Sequence, residues 1–272
     1  MKILSFDVGG TKISWATVDE SGVILSPVQS VPTPKTSAEI ENLLQKITAD
    51  SVYDACALAT AGVVFDSVIR GKPNNLPVGY DQINFADVFK TPYIIENDAT
   101  SALWAEFCVG ALKGVQHGIM LTLGTDVGCG IICNGQVVRG KCGAAGEYSF
   151  DFSGRNLQSL ARQFGATETD CFKLLNAVRQ GDEPSRSAYR EWEERMLNAM
   201  QMLNELLDTE IIALSGSLSE IVDYAKINTA LKLLEPRNPP VVKAALCGTN
   251  AGLIGAALLF AGTSWNKRGA NQ

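Results

Sequence analysis

The sequence predicts an α/β protein built from two similar halves. Each half opens with the same run: an apolar strand, a glycine turn, a second strand, a turn and a third strand. Helical patterns and apolar strand-like runs then alternate. The glycine turn falls at the same place in both halves, and each carries Asp-Val-Gly, at 7–9 and at 126–128. With 272 residues, 46% of them hydrophobic, the chain can bury a sizeable core as one large domain or as two lobes.

In order, KILSF reads as a buried strand and DVGGTK as a turn. ISWATVD alternates as a strand, and VILSPVQSV after the ESG turn completes a three-strand meander. Thr36 and Glu39 in TSAE have capping-box spacing and open a helix running to about Asp50. ACALATAGVV is a buried strand, GKPNNLPVGYDQIN a polar loop, YIIE a strand, and a helix starts near Asp98. The second half repeats this grammar. HGIMLTLG is a strand, TDVGCG a turn, IICNG a strand ending in an Asn-Gly hairpin signal, and QVVRG a third strand. Helices are expected over 153–164, 168–180 and 185–207, the last with Trp192, Met196, Leu203 and Leu206 among its apolar residues. The strand EIIALSG, a helix over about 218–234, the strand VVKAALCG and the helix AGLIGAALLFAG close the chain.

Composition excludes several classes. A net charge of −6 argues against a phosphate-backbone binder, because nucleic-acid affinity rests on clustered Lys and Arg. The longest apolar run, 251–262, is far short of a bilayer span, and the apolar run of MKILSFDVGG is too short for a signal peptide. Charged residues make up 19%, and disorder is expected only in the tail NKRGANQ. Seven scattered cysteines without a Cys-x-x-Cys pair point to reduced thiols and a cytoplasmic location. Cys129, Cys133 and Cys142 lack a fourth ligand at metal-site spacing, and His117 lies outside that trio, at a strand entrance.

The two turns carry the chemistry. Gly9 and Gly10 allow a sharp turn that aims N–H groups at an anion, Thr11 adds a hydroxyl and Lys12 a positive charge. Asp7 cannot hold a phosphate directly but can hold Mg²⁺, which bridges phosphate oxygens. A plain Gly-Gly hairpin with a solvated Asp explains the same residues.

Taken with the rest of the chain, DVGGTK, ENDATSALWAE (96–106), LTLGTDVGCGII (121–132) and GAAGE (143–147) resemble, in order, the signature segments of the ROK family of sugar kinases. LSGSLSE and GTNAGLIGAALL resemble that family's adenosine-side segments. The resemblance runs from about residue 3 to 260. It implies the two-lobed actin-like ATPase fold, a duplicated ribonuclease H-like arrangement. The small lobe is expected over 1–107, with a C-terminal helix over about 251–264 packing back on it, and the large lobe over 108–250. Nucleotide and sugar are expected to meet in the cleft.

Carried over residue by residue, the resemblance makes Asp98 the base for a sugar hydroxyl, a role compatible with capping its helix. Gly62, Asn75, Asn97 and Glu147 become sugar contacts, although ordinary turn chemistry also accounts for Asn75. Gly9, Gly10, Thr11, Lys12, Gly124, Thr125, Gly128 and Gly216 become the ATP side. The family usually has glycine where Asp126 stands. Asp126 either joins Asp7 at Mg²⁺ or points to solvent from its turn.

The chain departs from the family after GAAGE. Phe150 stands where most members have a histidine that reaches sugar and zinc, Gln158 replaces a sugar-contacting Glu, and the cysteine cluster is missing. No structural zinc is expected, and packing by Tyr148, Phe150 and Phe152 must hold the segment. No DNA-binding extension precedes Asp7, so a repressor is not expected. The expected activity is ATP- and Mg²⁺-dependent phosphorylation of a hexose or N-acyl hexosamine by a possible homodimer. A polyphosphate donor and a catalytically weak sugar-binding regulator are the alternatives.

Overall fold

The computed structural model describes residues 1–73 and 75–262, so the tail 266–272 and the end of the expected last helix, 263–264, lie outside the described residues. The chain separates into two compact units. The first comprises Met1–Lys113, Val137–Ala145 and the chain from Leu246 on; the second comprises Gly114–Gln136 and Gly146–Ala245. The first unit thus gathers three chain segments, and the short return over Val137–Ala145 is invisible to a division by sequence halves.

The first unit begins with β1 (Lys2–Val8), β2 (Lys12–Asp19) and β3 (Gln29–Pro32), then α1 (Ser37–Ala49), β4 (Ala55–Thr60), the hairpin β5 (Val63–Phe65) and β6 (Val68–Arg70), α2 (Phe85–Val88), β7 (Tyr93–Asn97) and α3 (Asp98–Val109). The second unit holds β8 (Gly118–Leu123) and β9 (Val127–Cys133), to which β10 (Gln136–Val137) is joined, then α4 (Gly154–Gln163), α5 (Cys171–Arg179), α6 (Glu183–Leu207), β11 (Ile211–Ser215), α7 (Tyr224–Leu234) and β12 (Val241–Ala244). The chain ends in the first unit with α8 (Ala251–Gly262).

The duplication is plain in the sheets. Their orders are β3-β2-β1-β4-β7 and β10-β9-β8-β11-β12. In each, the central strand pairs antiparallel with the next strand in sequence and parallel with the first strand that follows a helix. Both sheets are mixed, with strands such as Ala55–Thr60 buried along their whole length, as sheets covered on two faces require. The fold is therefore the duplicated α/β class expected of actin-like ATPases.

Local signals explain most elements. Thr36 and Glu39 form the reciprocal capping box at α1. Asn134 and Gly135 both take positive φ, 51° and 67°, as an Asn-Gly hairpin needs. Helix α6 buries Trp192, Met196, Met200 and Leu203 in the second unit's core, whereas Leu206 is exposed.

Four expectations are corrected. The third strand of the first meander is only Gln29–Pro32; upstream, Pro27 has no N–H to give the ladder, and a single bridge, Val18 to Ile24, remains. The run ACALATAGVV is not one strand: β4 stops at Thr60, Gly62 turns at φ 102°, and β5 enters a separate hairpin closed by Asp66 and Ser67 at φ 52° and 58°. The expected polar loop 71–84 contains the 3₁₀ turn Tyr80–Gln82, and α2 follows it directly. Tyr80, Phe85 and Phe89 are buried there, with the Phe6 and Phe89 rings stacked at 5.6 Å. The helix expected over 218–234 breaks into the 3₁₀ turn Ser217–Ile221 and α7, because Asp223 caps α7 by accepting from Lys226 N.

Candidate active site

In the first unit, the turn between β1 and β2 is held by Thr33, whose hydroxyl donates to Gly9 O at 2.6 Å and whose N–H donates to Thr11 O at 3.0 Å. Neither Gly9 nor Gly10 is among the glycines with positive φ. Gly10 is glycine for another reason: a Cβ there would sit 2.5 Å from Asn75 O. The requirement links the turn to the loop carrying Asn75, which is itself exposed.

Asp7, the next-to-last residue of β1, is half-buried, with α8 against it. A Cβ on Gly252, in the first turn of α8, would lie 2.6 Å from Asp7 Oδ2. Burial pushes the Asp7 carboxyl up to about 6, against which the charge of Lys12 pulls down. A carboxylate whose charged form is poorly compensated is one that a divalent cation would stabilise, so Asp7 fits a role toward Mg²⁺. Among the described residues no three His, Cys, Asp or Glu side chains converge as a metal site. Such an ion would therefore draw most of its ligands from water and phosphate oxygens.

The shift has a sign. A carboxyl with a raised folded pKa holds its proton more tightly when folded, so stability is full below its unfolded value near 4 and falls as pH rises through about 6. Asp7→Asn should therefore stabilise the chain at pH 7 by up to about 3 kcal/mol, and by nothing below about pH 4. Denaturant unfolding of both proteins across that range checks it; a pH-independent difference contradicts the desolvated carboxylate.

Asp98 is the first residue of α3, and its Oδ1 accepts from Ala99 N at 2.8 Å. The N-cap is Asn97, which accepts from Thr100 N at 3.0 Å through Oδ1 and donates to Gly62 O at 2.9 Å through Nδ2. Asn97 keeps one N–H and one lone pair for a ligand. Gly62 is confined by Pro73, whose Cγ would be 2.9 Å from a Cβ. Beneath these groups lies Tyr80, fully buried, its hydroxyl 2.9 Å from Thr60 Oγ1. Burial pushes the Tyr80 phenol up, and the charges of Asp7 and Asp98 both add to the shift. The strand register puts the base and metal candidates at one end of the sheet, Val8 lying opposite Thr60 and Thr60 opposite Asn97.

In the second unit, the glycine turn is tighter than expected: β9 begins at Val127, so Gly128 lies in the strand opposite Thr122. The turn proper is Gly124–Thr125–Asp126, closed by Gly124 N donating to Asp126 O at 3.1 Å. Its carbonyls are held by the start of α4, Gly154 N donating to Gly124 O and Arg155 N to Thr125 O. Asp126 is exposed and pairs with Arg155 Nη1 at 3.3 Å, so a cation beside a helix N-terminus answers its charge. Gly216 follows β11 at φ 82°, where a Cβ would meet Leu123 O at 2.3 Å.

The segment Ser217–Ile221 leads to a cavity of about 650 Å³ lined by Leu175, Val178, Arg190, Glu193, Ile221 and Tyr224, among others. Glu193 is buried there, its Oε2 on Lys226 Nζ at 2.5 Å. Glu147 is exposed. Gly146 before it packs on the Cys129 carbonyl, 2.1 Å from a would-be Cβ, and burial together with the Glu147 charge pushes the Cys129 thiol up to about 12. Phe150 and Phe152 are buried at 5.3 Å between centroids, while Tyr148 is exposed and meets Phe150 edge-on.

Sequence reasoning missed Thr33, Thr60, Tyr80, Glu96, Arg139 and Arg155. Only Glu96 left a signal, as an acid inside the apolar strand YIIEN.

A duplicated α/β fold with a glycine turn opening each half, and an Asn-Asp pair at a helix start, defines a class of phosphate-handling proteins. A sequence model of the ROK family matches residues 3–149 and 151–263, and the chain belongs to that family. It is 26% identical to an N-acetylmannosamine kinase of Salmonella arizonae, over 96% of this chain and 99% of the relative. It is 28% identical to a glucokinase of Streptomyces coelicolor, over 93% and 96%. Among solved structures, a ROK family glucokinase from Streptomyces griseus in complex with glucose and AMPPNP superposes with a TM-score of 0.76 at 27% identity, covering 95% of this chain and 99% of that one. Among the described residues, no helix is long and apolar enough to cross a membrane.

Proposed function

We propose that this chain is a cytoplasmic sugar kinase that moves the γ-phosphoryl group of ATP to a hydroxyl, most naturally the primary one, of a hexose or N-acyl hexosamine. The observation that carries the reading is the first unit's arrangement: β1, β4 and β7 run parallel with Val8 opposite Thr60 and Thr60 opposite Asn97, so Asp7 at the glycine turn and Asp98 at the start of α3 stand at the same end of one sheet. Asp98 takes the proton of the attacking hydroxyl as its oxygen bonds to the γ-phosphorus; the bond to the bridging oxygen breaks and ADP leaves. Asn75, Asn97, Gly62 and Glu147 hold sugar hydroxyls. The turns at 9–12 and 124–128 and Gly216 hold the donor. Bound Mg²⁺ would neutralise phosphate charge, with Asp7 the residue toward it.

Relatives named as kinases of two different sugars support the reaction class and leave the acceptor open. ATP is favoured as donor by the complex of the Streptomyces griseus relative with AMPPNP; the second unit's cavity, which mixes Leu175, Val178, Ile221 and Val222 with Arg179, Arg186, Arg190 and Lys226, suits either donor. For the homodimer, α6 leaves Met202 and Leu206 exposed, its other large apolar side chains being packed within its own unit.

Asp126 is proposed as a second group toward Mg²⁺ once its pair with Arg155 opens. Asp126→Gly should then raise the Mg²⁺ concentration for half-maximal rate several-fold; an unchanged requirement leaves Asp126 as the partner of Arg155 alone.

The reading is tested by supplying ATP or polyphosphate with Mg²⁺ against glucose, mannose, fructose, allose, N-acetylglucosamine and N-acetylmannosamine. Turnover of at least one sugar with ATP is expected. Turnover with polyphosphate only would change the donor. Sugar binding without any transfer would favour the regulator, in line with Phe150 being a core residue and not a polar contact.

A further inference from the structure

Glu96 is the residue before Asn97 in β7, and it is 5% exposed. A buried carboxylate is costly unless its oxygens are paired. Both are. Oε2 receives both Arg139 Nε at 2.8 Å and Nη2 at 2.7 Å, two charge-assisted contacts on one oxygen. Oε1 receives the Asn97 N–H at 2.9 Å. With the bonds from its side chain to Thr100 N and Gly62 O, Asn97 is fixed at three points, and Asp98 follows it directly.

Arg139 itself stands on the short segment Val137–Ala145 that the chain returns to this unit. That segment closes on itself, Ala145 N donating to Arg139 O at 3.2 Å, and is seated against the unit at Gly143, which at φ 83° lies so close to β5 that a Cβ would be 2.1 Å from Val64 O. The guanidinium therefore comes from a tethered backbone and ends on a carboxylate whose other oxygen holds the amide before the base.

We infer that Arg139, acting through Glu96, is a positioning residue for Asn97 and Asp98. Its two N–H groups converge on Oε2, keep the buried carboxylate compensated and leave Oε1 to the Asn97 amide, and so hold the entry into α3. Lysine is only a partial substitute, because its ammonium can meet Oε2 but lacks the rigid plane that brings two N–H groups to it at once. The kinetic side of this inference rests on the kinase reading above; the structural side does not.

The experiment compares Arg139→Ala, Arg139→Lys and Glu96→Gln with Ile47→Ala, which lowers stability by opening a cavity under α1, away from the site. Arg139→Ala is expected to lower kcat about 10- to 100-fold with the KM for ATP unchanged, since small misplacements of a reacting group cost that much. Arg139→Lys should recover only part of this. Amide hydrogen exchange gives the second readout. Exchange in the peptide covering 95–100 should rise about tenfold or more in Arg139→Ala while α1 stays unchanged.

Ile47→Ala should show the reverse: faster exchange in α1, unchanged kcat. Exchange in Arg139→Ala that rises equally everywhere, or not at all over 95–100, overturns the inference. So does an unchanged kcat in an active enzyme. If the wild type transfers no phosphate to any sugar, the kinase reading fails, and the exchange over 95–100 still decides the positioning claim.

Discussion

Asp98→Asn should lower kcat by about 10² to 10⁴-fold, the range over which a positioned general base contributes. The substitution is nearly isosteric. Asn keeps an oxygen to accept from Ala99 N, where Asp98 Oδ1 now accepts at 2.8 Å, and the cap of α3 belongs to Asn97. The α3 cap and the contact with Ala99 N should therefore survive the substitution. The sugar KM should move little, because what is removed is an interaction of the transition state. Steady-state kinetics on whichever sugar turns over, with thermal unfolding alongside, reads both quantities. A variant retaining more than about a tenth of wild-type kcat would show that another group takes the proton, since the loss would lie below the general-base range.

Gly255→Ala should be the most damaging of the single methyl additions considered. A Cβ at 255 would sit 1.6 Å from Ser101 O and 2.4 Å from its carbonyl carbon, with Ala105 N at 3.2 Å. These are backbone atoms of α3, so no side chain can turn aside and one helix must shift. Replacing glycine by alanine inside a helix favours it by roughly 1 kcal/mol. Overpacking against backbone costs typically about 1–3 kcal/mol and sometimes more. With a contact this short the second effect wins, and a net loss of at least about 2 kcal/mol is expected.

Gly262→Ala, where nothing among the described residues lies within 4 Å, is the matched control and should be neutral. The displacement should also reach the site, because the first turn of α8 lies against Asp7. A fall in kcat accompanying the fall in denaturation midpoint is therefore expected in Gly255→Ala. Equal stability of the two variants would mean that α3 and α8 do not approach this closely.

Much of this was legible in the sequence. The order of elements in both halves followed from period and turn chemistry: the capping box at Thr36, the Asn-Gly turn at 134–135 and the helix opening at Asp98 each rest on residues within four positions of one another. The resemblance carried by DVGGTK, ENDATSALWAE and GAAGE led to the family, and the family model agrees. The misread places share a cause. ACALATAGVV looked like one strand because its apolar run is continuous, while Gly62 at φ 102° breaks it. Tyr80 was hidden in a stretch rich in Pro, Asn and Gly, yet together with Phe85 and Phe89 just after that stretch it completes the first unit's core.

The sequence by itself determined which segments become strands and helices, where most of them start, and that the second half repeats the first. These depend on sterics and burial over a few neighbouring residues. Only the tertiary structure decided the partners. Gly10 is glycine because of Asn75, Gly255 because of Ser101 and Gly143 because of Val64, each a close approach by a distant segment. The charge of Asp126 is answered by Arg155, and the buried Glu96 by Arg139, 43 residues away. Local propensity cannot encode such pairs, because they exist only once the chain path has brought the two backbones together.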